Sequence, residues 1–289
     1  MTKTLLSFGH GLSARTLAPH LLAQDWRVIG TSRSADKAET IRQTGAEALI
    51  WPPDDCATAL ADATHLLISA SPSAEGDPVL NALAEKIASA TNLEWVGYLS
   101  TTGVYGDHQG GWVDETTPLS PSTKRGLWRQ EAEAAWAAVP KLPLHIFRLA
   151  GIYGPGRGPF AKLRNGTARR IIKDNQVFSR IHVDDIAQVL LASIARPNPG
   201  AIYNLCDDNP APPQEVIAYA AELLGLPVPP AVAFENAEMT PMARSFYAES
   251  KKVRNNRIKD ELGVTLKYAT YRNVLQAMLD SELGQTSEK

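Results

Sequence analysis

Thr4-Leu5-Leu6-Ser7-Phe8-Gly9-His10-Gly11-Leu12-Ser13-Ala14 decides the fold. A short apolar run ends at Gly9, and a segment with apolar residues at helical spacing follows over 13–23. Gly9-x-Gly11-x-x-Ala14 joins the two, and each position has a task in holding a dinucleotide. Gly9 permits the tight turn, Gly11 lets the backbone approach a pyrophosphate, and Ala14 lets helix and strand pack closely. The helix N-terminus offers free amide donors and the positive end of its dipole. Gly9, His10, Gly11, Leu12, Ser13 and Ala14 are therefore the expected phosphate-binding turn. Alone the motif is weak, because a glycine turn can simply connect a strand to a helix. Its place in the first strand–helix unit of an alternating chain strengthens it.

Outward from this turn, apolar runs at 5–8, 26–31, 48–51, 65–69, 95–99 and 144–149 alternate with helix-length segments such as 79–90. Several runs are apolar on both faces, as strands of a buried parallel sheet must be. The alternation predicts an α/β fold, a Rossmann-type doubly wound parallel sheet with right-handed crossovers. Gly154-Pro155-Gly156-Arg157-Gly158-Pro159 is a turn-rich break. Beyond it, 164–173 reads as a basic loop, 184–195 as a helix, 201–205 as a strand, and 214–224 and 271–283 as helices. The expected organisation is a dinucleotide-binding domain over 1–152 plus about 183–208, and a smaller, mostly helical C-terminal substrate domain over 153–182 and 209–289.

Composition narrows the function classes. The 289 residues are 44% apolar and 21% charged with net charge −2, the balance of a globular protein without a field for nucleic acid or anionic membrane. Cys56 and Cys206 stand far apart with no zinc-ligand spacing, so no metal site is expected and a reducing, cytoplasmic setting fits. The N-terminus lacks the long apolar core of a signal peptide, and no stretch reaches the roughly 18 apolar residues of a membrane span.

The end of the second strand bears on the cofactor. An acidic residue there would bind a ribose diol, but the chain reads Gly30-Thr31-Ser32-Arg33-Ser34, with no carboxylate before Asp36. Arg33 can pair with a 2′-phosphate, Thr31 and Ser32 can donate to it, and Arg15 lies in the first turn of the helix. NADP is therefore expected ahead of NAD, with solvated surface charge as the competing role for both arginines. Pro52-Pro53-Asp54-Asp55 is expected to border the adenine, and Ser69-Ala70-Ser71-Pro72 the nicotinamide ribose, since loops at strand carboxyl ends make the crevice.

Four further segments carry a resemblance: 98–106 (Tyr-Leu-Ser-Thr-Thr-Gly-Val-Tyr-Gly), 147–156 (Phe-Arg-Leu-Ala-Gly-Ile-Tyr-Gly-Pro-Gly), 180–187 (Arg-Ile-His-Val-Asp-Asp-Ile-Ala) and Tyr203-Asn204-Leu205. In order and spacing the chain resembles the extended short-chain dehydrogenase/reductase superfamily, the NAD(P)-dependent epimerase/dehydratase group. The resemblance implies that Thr101 occupies the catalytic Ser/Thr position and hydrogen-bonds a substrate oxygen, with Ser100 beside the cofactor. Strand-end capping is the competing role for these hydroxyls.

The family pattern then breaks. Its reaction needs a tyrosine and, one helical turn later, a lysine that lowers the phenol pKa and holds the ribose. Matching Gly126 and Glu133 to the family helix places Arg125 at the tyrosine and Arg129 at the lysine. Arginine cannot donate a proton near neutrality, and no tyrosine occurs between Tyr105 and Tyr153. The pattern resembles the atypical branch, in which the dinucleotide fold outlives the catalytic pair. Arg129 is expected to hold a ribose hydroxyl or phosphate, and Arg125 an anionic substrate. Tyr153, Tyr105 and His182 are the remaining candidates for moving a proton, with packing of Tyr105 and a structural role for His182 as their competing readings. Asp184 and Asp185 are expected to cap the following helix and pair with its dipole. The basic stretch 162–170 suits a substrate diphosphate, as in sugar-nucleotide enzymes, or a solvated loop.

The chain is thus expected to be an NADP-dependent oxidoreductase or epimerase-like enzyme with altered proton chemistry. A non-catalytic NADP(H)-binding sensor is the alternative. A small-molecule substrate, anionic or a nucleotide-sugar, and a homodimer through the helix from Thr123 to Val139 complete the expectation.

Overall fold

Every residue of Thr4–Phe8 (β1) is buried, as a strand covered on both faces requires. The structure is a computed structural model that describes residues 2–52 and 54–287. In it β1 lies within a seven-stranded, wholly parallel sheet made with Arg27–Ser32 (β2), Glu47–Ile50 (β3), His65–Ile68 (β4), Trp95–Thr101 (β5), Leu144–Leu149 (β6) and Ile202–Leu205 (β7). The order is β3-β2-β1-β4-β5-β6-β7. The chain builds outward from β1 to β3, then crosses back to β4 on the other side of β1. That reversal opens a crevice outside the carboxyl ends of β1 and β4, where doubly wound sheets hold ligands.

The helices are Leu12–Leu22 (α1), Ala35–Arg42 (α2), Ala57–Asp62 (α3), Pro78–Ser89 (α4), Lys124–Ala137 (α5), Phe160–Arg164 (α6), Val183–Ala195 (α7), Pro213–Leu223 (α8), Pro241–Phe246 (α9), Asn256–Asp260 (α10) and Tyr271–Ser287 (α11). Alternate strand residues feed opposite layers. Leu5, Val28, Leu67 and Phe147 pack with Leu17 and Leu21 of α1 and Leu190 of α7. Leu6, Ile29, Leu66 and Ile146 pack with Leu83 and Ile87 of α4 and Trp136 of α5. A third, smaller core joins Tyr153, Phe160, Leu163, Val216, Ala220, Tyr271 and Leu275 over the C-terminal segments.

The expected strands and long helices are present. The region expected as a basic loop is more ordered than that. Its first residue is the last of α6, and it contains Arg170–Ile172, which pairs in parallel with Ala231–Ala233. Gly151–Tyr153 likewise pairs with Arg180–His182, and Trp112–Val113 with Lys252–Val253. Strands of two or three residues are too short to show a period of two, so no sequence pattern announces them.

One face of the sheet carries a row of buried rings. Trp26 meets His65 edge-on at 4.5 Å between centroids, and Trp95 stacks on His145 at 5.7 Å. Burial pushes His65 down to about 4 from 6.5 and lowers His145 as well. His10 is also held at about 4, by burial and then by Arg15. Each depressed pKa means that the unfolded chain binds more protons between the two values. The histidines' contribution to stability is therefore expected to be full above about pH 7 and to be lost between about pH 6.5 and pH 4, against the opposite slope of Asp207, whose burial raises its pKa. Denaturant midpoints across that range check it, and His65→Phe should reduce the slope.

Candidate functional site

The glycine turn is fixed by its packing. Gly9 has φ +77, and a Cβ there would lie 2.8 Å from the Ala70 nitrogen at the end of β4. Its N–H donates to Thr31 Oγ1 at 3.0 Å and its carbonyl accepts from Ser69 Oγ at 2.6 Å. Gly11 differs: a Cβ there would meet nothing nearer than the Gly9 oxygen at 3.7 Å. The protein's own packing does not demand glycine at 11, whereas a closely approaching ligand does. No side chain caps the first turn of α1 and no acidic residue lies in it, so its amides and dipole remain for an anion. These features fit a dinucleotide pyrophosphate.

Two expected contacts of the turn take other roles. The His10 ring turns away from the crevice and packs on Gly30, where a Cβ would lie 2.6 Å from its Cγ. Neither ring nitrogen has a hydrogen-bond partner among the described residues. Thr31 is buried and braces the turn through its hydroxyl and carbonyl. At the tip of β2, Ser32 Oγ bonds to the Ser34 backbone. Arg33 and Arg15 are exposed, and their side chains have no ion pair or hydrogen-bond partner among the described residues. Near β3, Asp54 accepts from the Ile50 amide and Asp55 sits 3.8 Å from Lys86; Pro53 lies outside the described residues.

Two connected clefts open beyond the strand ends. The smaller, about 360 Å³, is lined by Gly9, Gly11, Leu12, Ser13, Ser69, Ser71 and Ser100, and by Thr101, Arg129, Leu149, Ala150, Ile152 and Arg157. The larger, about 1320 Å³, extends toward the C-terminal segments and shares Ser71, Thr101, Arg129 and Arg157 with it.

Beneath them runs a buried polar chain. Glu133 of α5 accepts Ser100 Oγ at 2.5 Å and is gripped by Arg148 of β6, with the shortest contact at 2.7 Å. Arg148 donates to Tyr105 Oη at 3.0 Å, and Tyr105 Oη donates to Asn204 Oδ1 at 2.7 Å. Two residues singled out in the sequence belong to this chain. The Ser100 proton is given to Glu133, and Tyr105 is fully buried, with burial pushing its phenol up to about 12. Tyr105 is a packed ring with its hydroxyl engaged by Asn204.

The two arginines diverge. Arg129 donates to the Leu99 carbonyl at 2.5 Å, to Tyr98 Oη and Ser71 Oγ at 3.2 Å, and reaches the crevice wall. Arg125 lines the larger cleft as well, where it donates to Ser245 Oγ at 3.1 Å and lies over the Phe246 ring, so that it bridges α5 and α9. Thr101 Oγ1 accepts the Gly103 amide at 3.1 Å, and its own proton has no acceptor among the described residues. Tyr153 lines the larger cleft and donates to Asp207 Oδ2 at 2.7 Å. Burial raises Asp207 to about 7 and pushes the Tyr153 phenol well above its usual range.

His182 is structural: 4% exposed, it accepts the Asp184 amide and caps α7. That cap takes the place expected of the two aspartates, which do lie in the first turn of α7 as pairing with its dipole requires. Asp185 instead accepts the amides of Lys267 and Tyr268, and Asp184 pairs with Lys267, tying α7 to the C-terminal segment. Of the basic stretch, Lys162 and Arg169 line the larger cleft, while Arg164 pairs with Glu282. Sequence reasoning did not single out Arg157, Asp207 or Arg180, which also line or flank the cleft. The available signal was position, since Asp207 and Arg157 both follow the carboxyl ends of predicted strands. Among the described residues no group of three His, Cys, Asp or Glu could hold a metal, and no helix is long and apolar enough to cross a membrane.

No family model matches the chain. Protein YeeZ of Escherichia coli strain K12 is 32% identical over 281 residues, 92% of this chain and 96% of its own. A conserved protein of unknown function from Silicibacter pomeroyi is 65% identical and superposes with TM-score 0.94, covering 97% of this chain and 99% of its own. At 16% and 18% identity the UDP-glucuronic acid 4-epimerase of Bacillus cereus in complex with NAD (TM-score 0.76, 96% and 97% covered) and human epimerase family protein SDR39U1 with NADPH (TM-score 0.78, 96% and 99% covered) share the fold.

The buried pair makes a sharp prediction about stability. Arg148→Met leaves Glu133 buried without its cation and is expected to cost about 3–5 kcal/mol by urea unfolding, whereas Arg148→Met with Glu133→Leu recovers most of the loss. Equal stability of the single and double variants would show that the pair is not the unit.

Proposed function

We propose that the chain, a relative of Protein YeeZ whose structural neighbours are NAD(P)-dependent epimerase/dehydratase proteins of the short-chain dehydrogenase/reductase superfamily, is an NADP-dependent oxidoreductase or isomerase of an anionic small molecule. The observation that carries this reading is the continuity of the two clefts, with Thr101 at their junction. A protein that only measured cofactor would not need a substrate-sized cleft opening onto the nicotinamide side.

The glycine turn and the first turn of α1 hold the pyrophosphate, and Ser71 and Arg129 border the nicotinamide ribose. Arg33 and Arg15 supply the charge that favours a 2′-phosphate. A bound nicotinamide supplies or accepts the hydride. Thr101 donates its free hydroxyl proton in a hydrogen bond to the substrate oxygen. In the reducing direction the carbonyl carbon gains the hydride and its oxygen gains a proton from Tyr153, which Asp207 reprotonates. Oxidation runs the same relay backward. The relay replaces the tyrosine that Arg125 displaced. Pairing of two copies along α5, which exposes Leu127 (45%), completes the reading.

A sensor without catalysis is the second reading, favoured by the arginines at both positions of the family's catalytic pair. Tight NADPH binding with no consumption across a panel of carbonyl acids, sugars and nucleotide-sugars would select it.

Arg33→Ala is expected to weaken NADPH about tenfold or more and NADH less than about threefold by fluorescence titration. Equal losses would remove the NADP preference. Tyr153→Phe is expected to lower kcat for reduction about 100-fold. In the wild type that rate should fall as pH rises through about 7, where Asp207 loses its proton. Asp207→Asn should flatten the profile; an unchanged profile would sink the relay.

A further inference from the structure

Arg129 and Arg157 both line the smaller cleft and both line the larger one, so they stand at the passage between the two. They reach it from separate elements, α5 and the turn after Gly151–Tyr153. The turn is held firmly: Gly154 and Arg157 exchange backbone hydrogen bonds of 3.1 and 2.8 Å, and a Cβ on Gly154 would lie 2.9 Å from Val183 Cγ1. Arg157 is exposed and has no ion pair or side-chain hydrogen bond among the described residues. Arg129 commits its two Nη1 donors to Tyr98 and Leu99 and one Nη2 donor to Ser71, which leaves two of its five N–H groups unspent. No aspartate or glutamate lines the smaller cleft. Two guanidiniums facing one passage without a carboxylate repel each other unless an anion lies between them, and a planar anion can take paired donors from such forks.

We propose that Arg129 and Arg157 clamp a carboxylate or phosphate that the substrate carries next to its reacting carbon, beside Thr101. The inference rests on the reading above and narrows it. The substrate is a carbonyl or hydroxy compound with an anionic group one or two bonds from the redox centre, rather than one whose charge lies only at a distant diphosphate. The clamp also explains why arginine suits position 129: a lysine has three donors, and holding Tyr98, Leu99 and Ser71 would leave none for an anion.

The same chemistry could come from the cofactor's own phosphates, and the test separates the two sources. Oxalate and inorganic phosphate are titrated calorimetrically into the wild-type protein, free and saturated with NADP+, and into Arg157→Ala and Arg157→Lys. The clamp predicts that oxalate or phosphate binds the NADP+-saturated protein. It also predicts that Arg157→Ala weakens this about tenfold or more, that Arg157→Lys recovers part of the loss, and that NADP+ affinity stays within about threefold. Loss of NADP+ affinity in Arg157→Ala as large as the loss of anion affinity would assign the arginine to the cofactor and overturn the proposal. Anion binding that is absent from the saturated protein, or equal in Arg157→Ala, would overturn it too. If the wild-type protein binds no NADP+, the nucleotide reading fails by itself, and the free-protein titrations with the same variants still decide the clamp.

Discussion

The grip of Arg148 on Glu133 is the interaction on which the site's geometry rests. Both side chains are about 95% buried, so both have given up most of their water. A pair so placed repays its desolvation only if the remaining donors and acceptors are also satisfied. Here they are: Ser100 completes the carboxylate, Tyr105 completes the guanidinium, and Asn204 completes Tyr105. The chain ties α5 to β5, β6 and β7 directly beneath the crevice. It thereby fixes the height of α5, and with it the place of Arg129, against the strand ends. The same bonds engage the hydroxyl protons of Ser100 and Tyr105 beneath the clefts.

The fold was legible because its signal is redundant. Seven apolar runs at strand length, separated by helical patterns and opened by a glycine turn, leave few topologies once crossovers are right-handed. The short strands around 151–153, 170–172 and 231–233 were not legible. Their order comes from partners more than 25 residues away along the chain, not from local pattern. The site was legible in part. Position at a strand end located Tyr153 at the clefts, and the family resemblance located Thr101 and Arg129 there. Orientation was invisible, and it sent His10 onto Gly30, Thr31 under the turn and Arg125 toward α9. Residue type and spacing report which groups are near one another. Whether a hydroxyl is free depends on burial and on what sits across from it, which only tertiary packing decides.

Arg125 shows how this difference bears on function. At the position of a proton donor its sequence reading is a lost catalyst. In the fold it has become a strut between α5 and α9, stacking on Phe246 and bonding to Ser245. Nearby, Ser122 donates to Glu249 Oε1 at 2.6 Å, and Lys251 bonds to the Gly106 carbonyl at 2.7 Å. Three contacts thus sew the segment 245–251 to the start of α5 and to the turn after Tyr105, along one wall of the larger cleft. On the proposed reading a guanidinium here positions α9 rather than reacts, and proton transfer falls to another wall. Tyr153 and Asp207 occupy that other wall, on elements the strut does not touch. A site can keep its cofactor geometry through such an exchange because α5 is held from below by Glu133 and Arg148, independently of what its first turn presents to the cleft.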